Sequence, residues 1–470
     1  MNIDSDHTEI QELNNSHRNI SDVYNSSELI TPHLINYING DSTELRFFDQ
    51  YFQFPPELSF TRFSSPDEIL AFLIQLIQNQ KSVVPHSVPK ALIIINAYSA
   101  LDDVDLSPLY TNETIISLFI GCLSSPEKNI ARTASNIITN LIITHESVLF
   151  CCIYYDIFNL IKQIIDPEFP EHSIYQLQSF LQASSKYVNS IFEHNESHPP
   201  EEQISLQQLW DFCIWLLNYI QLLKNENYPF QNQSKLANQI RLIFLSMKRI
   251  LSFFIPPLDD ILISIMLNIW ELGSLALDGV FFLLFEIQKK YKETDFITIE
   301  NQLYQSILPK ILESPVSLQY SSPLLRFLAY EQKLPDNFMN YVILVLKNGE
   351  FNAKLSAIKY LNNIDEQLNE NPYYFQMLVD NNIFESLSNI IASDFSEMKE
   401  EALFLAEKIL KGLIAHEFPQ KSIGTLPCFD DFLEEINELE ISLSENPEVG
   451  NQEDLLIRIQ HIQNLYSPEE

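Results

Sequence analysis

The chain has 470 residues, 46% of them hydrophobic and 19% charged. That is a folded composition, too long for one ordinary core, so it implies several domains or one elongated repeat array. The 28 Lys+Arg against 63 Asp+Glu give a formal charge of -35, which argues against nucleic acid and membrane surfaces as partners and in favour of basic proteins. Only 8 Gly are present, too few for hairpin-rich or nucleotide-binding α/β folds.

In chain order, residues 1–28 are Asn/Ser-rich and acidic without helical periodicity, and are expected to be disordered. MNIDSDHTEIQELNN has neither a basic start nor an apolar run, so no secretory signal is expected. Ile30–Phe54 reads as a first, capping helix pair. In Thr114–Ile142 the apolar residues Ile115, Leu118, Phe119, Cys122 and Leu123 recur at helical spacing. Ser124-Ser125-Pro126-Glu127 breaks that helix, and Ile130, Ala134, Ile137, Ile138 and Leu141 line the inner side of the next.

The same design returns at Leu344–Ile364 and Leu387–Leu413. Aligned on Ala134, Ala357 and Ala402, the three segments place Leu123, Leu346 and Ile391 at the same earlier position. Ala357 and Ala402 are 45 residues apart, within the period of about 40–47 expected for armadillo and HEAT units. Weaker centres fall at Ala91, Leu177–Phe180, Ile240, Gly279 and Leu324. Each helix pair must stack on its neighbours to bury its apolar face. The expected fold is therefore all-α, a right-handed superhelical α-solenoid of armadillo/HEAT-like repeats over residues 29–418.

Pro199-Pro200 marks an exposed loop within Glu193–Ser205. The most apolar window, Ile261 to Ile287, is interrupted by Glu271, Asp278 and Glu286 and reads as a buried helix pair rather than a membrane span. Residues 419–470 form an acidic C-terminal segment with amphipathic helices at Phe429–Leu443 and Gln452–Leu465, suited to capping the array or recruiting a partner.

No catalytic constellation is visible. His145-Glu146 and His416-Glu417 lack the second His of a zinc-protease helix, and no phosphate loop or nucleophile elbow occurs. His194 and His198 flank a Pro-Pro loop and make a poor metal pair. Cys151-Cys152 lies in an apolar run and reads as core. The five Cys form no CxxC pair, which fits a reducing compartment. The expectation is a non-enzymatic protein without cofactor or metal.

Three features resemble the importin-α family: the Pro-Pro insertion after Ser184–Phe192, the stretch Asn371–Leu387 placed like a lengthened link before the last repeat, and Lys399–Leu410 placed like a closing helix. In that family inner helices carry Trp-x-x-x-Asn motifs whose Asn side chains hold the backbone of an extended peptide. Here Asn96, Asn140 and Asn189 fall at the Asn position of successive units, while Leu92, Asn136 and Ser185 fall at the Trp position. The resemblance implies an adaptor binding extended basic, nuclear-localisation-like peptides through Asn96, Asn140 and Asn189, cytoplasmic and shuttling to the nucleus. Without the Trp rings a bound lysine forgoes about 0.5–2 kcal/mol of cation–π contact each. The family's basic N-terminal arm has no counterpart, since residues 1–60 hold only Arg18 and Arg46 as Lys/Arg, so importin-β is not an expected partner. The alternative is an armadillo-type scaffold or regulatory subunit outside nuclear transport.

Overall fold

The computed structural model describes residues 25–39, 41–52, 65–78, 87–101, 105–197, 205–256, 260–290, 307–313, 317–331, 334–335, 338–393, 396–416, 426–445 and 452–466. These residues are helical or in short turns, with no strand among them. They divide into two compact units, one running to Asn232 together with Leu242–Ile265, the other comprising Gln233–Arg241 and the residues from Met266 onward.

The first unit contains α1 (Asn25–Ile38), α2 (Pro66–Gln78), α3 (Ser87–Ser99), α4 (Glu113–Leu123), α5 (Lys128–Thr144), α6 (Glu146–Tyr154), α7 (Pro170–Ser185), α8 (Val188–Ser197) and α9 (Leu206–Asn225). It also takes the C-terminal half of α10 (Gln233–Phe253). One row stacks α1 on α3, α3 on α5, α5 on α7 and α7 on α9, and a second row places α2 beside α4. Pairing across the rows, α2 with α3 and α4 with α5, completes each repeat. Asn112 starts α4 as expected of an N-cap, its side chain accepting from the Thr114 N–H.

The second unit contains α11 (Ser274–Lys290), α12 (Ser321–Glu331), α13 (Phe338–Asn348), α14 (Phe351–Asn363), α15 (Tyr373–Asp380), α16 (Ile383–Ile391), α17 (Ser396–Ala415), α18 (Phe429–Glu445) and α19 (Gln452–Tyr466). Here α11, α12, α14, α17 and α19 stack in one row, and α13, α16 and α18 in the other. The alignment residues Ala134, Ala357 and Ala402 are each 0% exposed. Leu123, Leu346 and Ile391 are buried as well.

Some readings are amended. Helix α1 begins at Asn25, inside the segment assigned to disorder; residues 1–24 and Pro199-Pro200 lie outside the described residues. Asn371–Leu387 is not a link but α15 and the start of α16, joined through Asn382 in the left-handed region at φ 61°. Ser184–Phe192 is two helices, because the chain turns at Lys186-Tyr187 between α7 and α8.

Helix α17 does not close the array, since α18 packs on α16 and α19 on α17. Cys428, at φ 57°, opens α18 as Asn382 opens α16, 46 residues earlier. The C-terminal helices thus form one further repeat. Phe384 meets Phe429 and Phe432 at ring-centroid distances of 4.9 and 5.2 Å across that junction.

The apolar window after Asp260 is a buried helix pair whose three acids are all paired. Glu271 accepts from Lys310, Glu286 from Lys289, and Asp278 from both Arg241 Nε at 3.0 Å and Arg326 Nη2 at 2.6 Å. Among the described residues no single helix is long and apolar enough to cross a membrane. The one apolar pair long enough in sum, 146–154 with 157–164, bends by 78°, and its Val148, Leu149, Ile157 and Ile161 are buried in the first unit.

Candidate functional site

The exposed edge of the α3–α5–α7 row carries amides. On α5, Asn136 and Asn140 stand one turn apart and are half-buried, and Asn96 is half-buried on α3. On α7, Gln176 lies at the same edge against Asn136, 7% exposed. Hydrogen bonds tie the row from helix to helix. Asn140 Nδ2 donates to Ser99 Oγ at 3.0 Å, and Ser99 Oγ donates to the Asn96 carbonyl at 2.9 Å. Gln176 Nε2 donates to Asn136 Oδ1 at 3.1 Å.

Each amide offers two donors and an acceptor, and these bonds use only part of that capacity. Asn96 Oδ1 and Gln176 Oε1 are buried without a partner among the described residues. A buried acceptor left unpaired costs about 1–3 kcal/mol, and an incoming N–H reaches either atom only once its amide turns outward. Neighbouring helices pack about 8–10 Å apart and an extended chain advances about 3.3 Å per residue. A strand-like segment crossing the row therefore meets a new helix every three residues or so.

The three Asn singled out from the sequence do not lie on equivalent helices. Asn96 and Asn140 share the α3–α5 step through Ser99. Asn189 is on α8, exposed, and donates to Glu193 Oε1 of its own helix at 2.9 Å. At the positions where the resemblance asks for Trp, Leu92 and Ser185 are 0% and 1% exposed, and neither walls a channel. Trp210 and Trp270 are buried, and Trp215 already carries Lys162 over its ring at 5.0 Å.

Sequence reasoning missed the polar interior of α7. Ser173, Gln176, Gln178, Ser179, Gln182, Ser184 and Ser185 are all buried. Gln178 donates to Gln182 at 2.9 Å, Ser184 to the Phe180 carbonyl, and Ser185 to Ser246 of α10 at 3.1 Å. The signal was the run QLQSFLQASS, which alternates amides and hydroxyls with apolar residues instead of confining them to one stripe.

The Cys152 and Cys213 thiols are buried and pushed well up by burial, and Cys122 is pushed up to about 11. No group of three or more His, Cys, Asp or Glu able to hold a metal occurs among the described residues. His194 stacks on Phe150 at 5.2 Å, and His198 lies outside the described residues.

No protein-family model and no curated protein matches this sequence. Among solved structures, the chain is similar to an engineered protein of the Northeast Structural Genomics Consortium at 14% identity and TM-score 0.42, over 84% of this chain and 99% of that one. It is also similar to Kap121p at 12% identity and TM-score 0.33, over 86% of this chain but 42% of Kap121p. No functional residue is transferred from either; the chain's own contacts make it an all-α protein of stacked helical repeats.

Proposed function

We propose that this chain is a protein-binding helical-repeat adaptor whose α3–α5–α7 edge receives an extended, basic segment of a partner. The observation that supports this most is the amide row with unused acceptors at Asn96 and Gln176. Amides hold a peptide backbone irrespective of side-chain sequence, and the -35 charge of the chain selects basic segments from the surrounding pool. On this reading a nuclear-localisation-like peptide is a fitting ligand through its backbone. Asn189 lies outside the row and is not needed.

The test is polarisation of a fluorescent lysine-rich nuclear-localisation peptide with the full chain at about 50 and about 200 mM salt. Micromolar binding should persist at the higher salt and weaken about five- to ten-fold in Asn140→Ala, the worth of one hydrogen bond. Binding that vanishes with salt and ignores Asn140→Ala would instead leave a scaffold outside nuclear transport. The near-closure of the row at Gln176, 7% exposed, is the observation favouring that second reading.

A further inference from the structure

A second recessed site lies between α6 and the start of α4. Ser147, Phe150, Cys151 and Tyr154 form one face of α6, spaced three and four residues apart. They face Glu113 and Ile116 of α4 across a groove of 670 Å³, with Tyr110, Thr111, His145 and Tyr155 at its ends. The Tyr110 and His145 rings stack at 4.5 Å with their planes 18° apart. His145 caps α6, its Nδ1 accepting from the Ser147 N–H. Tyr154 sets its ring edge to face with Tyr155 at 5.2 Å.

Two features fix the chemistry of an occupant. Tyr154 is 84% exposed, the highest value for a large apolar side chain among the described residues, and aromatic faces exposed beside a groove attract cations. The lining contains the exposed carboxylate of Glu113 and no Lys or Arg. Burial, and after it the charge of Glu113, raises the Cys151 thiol, so the carboxylate is felt inside the groove.

We infer that this groove binds a lysine side chain of a partner protein, its ammonium held between the Tyr154 and Tyr110 rings and the Glu113 carboxylate. The inference rests on the reading of this chain as a protein binder but does not require the amide row. A lysine stem is apolar and suits Ile116 and Phe150, while the head is positive and suits Glu113.

The experiment is a saturation-transfer NMR titration of the full chain with two short peptides, one glycine-flanked lysine and the same peptide with norleucine. Norleucine keeps the apolar stem and lacks the charge. The lysine peptide should bind about five-fold or more tighter, and Tyr154→Leu and Glu113→Gln should each weaken it about two- to five-fold. Both residues are exposed, so the variants fold; circular dichroism checks this. Glu434→Gln, on exposed surface of the other unit, should leave binding unchanged. Equal binding of norleucine, or indifference to Tyr154→Leu, overturns the assignment. So does a loss in Glu434→Gln equal to that in Glu113→Gln, since that marks general attraction to an acidic surface. Asn140→Ala separates the two sites: it should not alter single-lysine binding even where it weakens binding of the longer peptide.

Discussion

Two helix-interior glycines should respond in opposite directions to the same substitution. In a helix interior Gly→Ala gains about 1 kcal/mol of propensity when the added methyl has room. At Gly121, exposed in α4, a Cβ would meet nothing within 4 Å. At Gly412, buried in α17, it would lie 2.6 Å from both Cε2 and Cζ of Phe375 and 2.8 Å from Cδ2. Carbon atoms rest about 3.5–4.0 Å apart, so that ring must retreat by about an ångström. Phe375 is 1% exposed on α15 and has little space to do so. Overpacking of this kind costs about 1–3 kcal/mol, which outweighs the gain. Gly121→Ala should stabilise by about 0.5–1 kcal/mol, and Gly412→Ala should destabilise by about 1–2 kcal/mol. Urea unfolding followed by circular dichroism reads the difference as midpoint shifts of opposite sign. Adding Phe375→Leu to Gly412→Ala should recover part of the loss, a coupling that a double-mutant cycle isolates. Equal stabilisation by both alanines, or no coupling with Phe375, would refute the packing argument.

Other consequences follow from buried charge and from the terminal repeat. Asp278→Asn removes two charge-assisted bonds. Its arginines are 27% and 50% exposed and can turn to water, so the loss should be about 2–3 kcal/mol, below that of stranding a buried carboxylate; the unfolding midpoint measures it. Burial pushes the Glu407 carboxyl up, but Lys411 and His461 more than offset this and hold it below 4.5. A depressed carboxyl contributes stability above its unfolded value that is lost as pH falls through the folded one. Melting of the full chain should therefore drop on acidification below about pH 4.5, and less steeply in Glu407→Gln. Removing residues 419–470 uncovers Phe384, 0% exposed against Phe429 and Phe432; the shortened chain should melt lower and bind more of a hydrophobic dye, whereas an independent tail would leave both unchanged.

The repeats were legible because apolar period and small crossing residues are local signals. Ala134, Ala357 and Ala402 lie in the core, and the C-terminal helices 429–445 and 452–466 nearly match their predicted spans. Three features were not legible, each because a distant partner decides it. Seven polar residues of α7 are buried, two of them bonded to Asn136 on α5 and Ser246 on α10, and sequence alone reads such residues as outward. Asn371–Leu387 was placed like a link by resemblance to the importin-α layout, yet a single left-handed residue at 382 lets two helices meet there. Asn189 matched Asn140 by spacing, but the turn at Lys186-Tyr187 puts it on another helix. Tyr187 donates to the Ile143 carbonyl there, a contact no local pattern announces.

The distribution of charge ties these features together. Several basic residues are engaged in ion pairs with half-buried or buried carboxylates: Arg132 holds Asp166, Arg241 and Arg326 hold Asp278, and Arg458 and Lys411 hold Glu407. Each of these carboxylates sits against cations of adjacent helices or of its own helix, which spends positive charge on structure. Pairing of this kind leaves the net charge of -35 unchanged. Surface charge of one sign governs encounter, while short-range contacts govern how long a complex lasts. For a basic peptide, added salt should mainly slow association, whereas Asn140→Ala should mainly speed dissociation. A stopped-flow series varying salt and residue 140 separates the two. If Asn140→Ala slowed association and left dissociation untouched, the amide row would not be part of the bound state, and the acidic surface alone would account for binding.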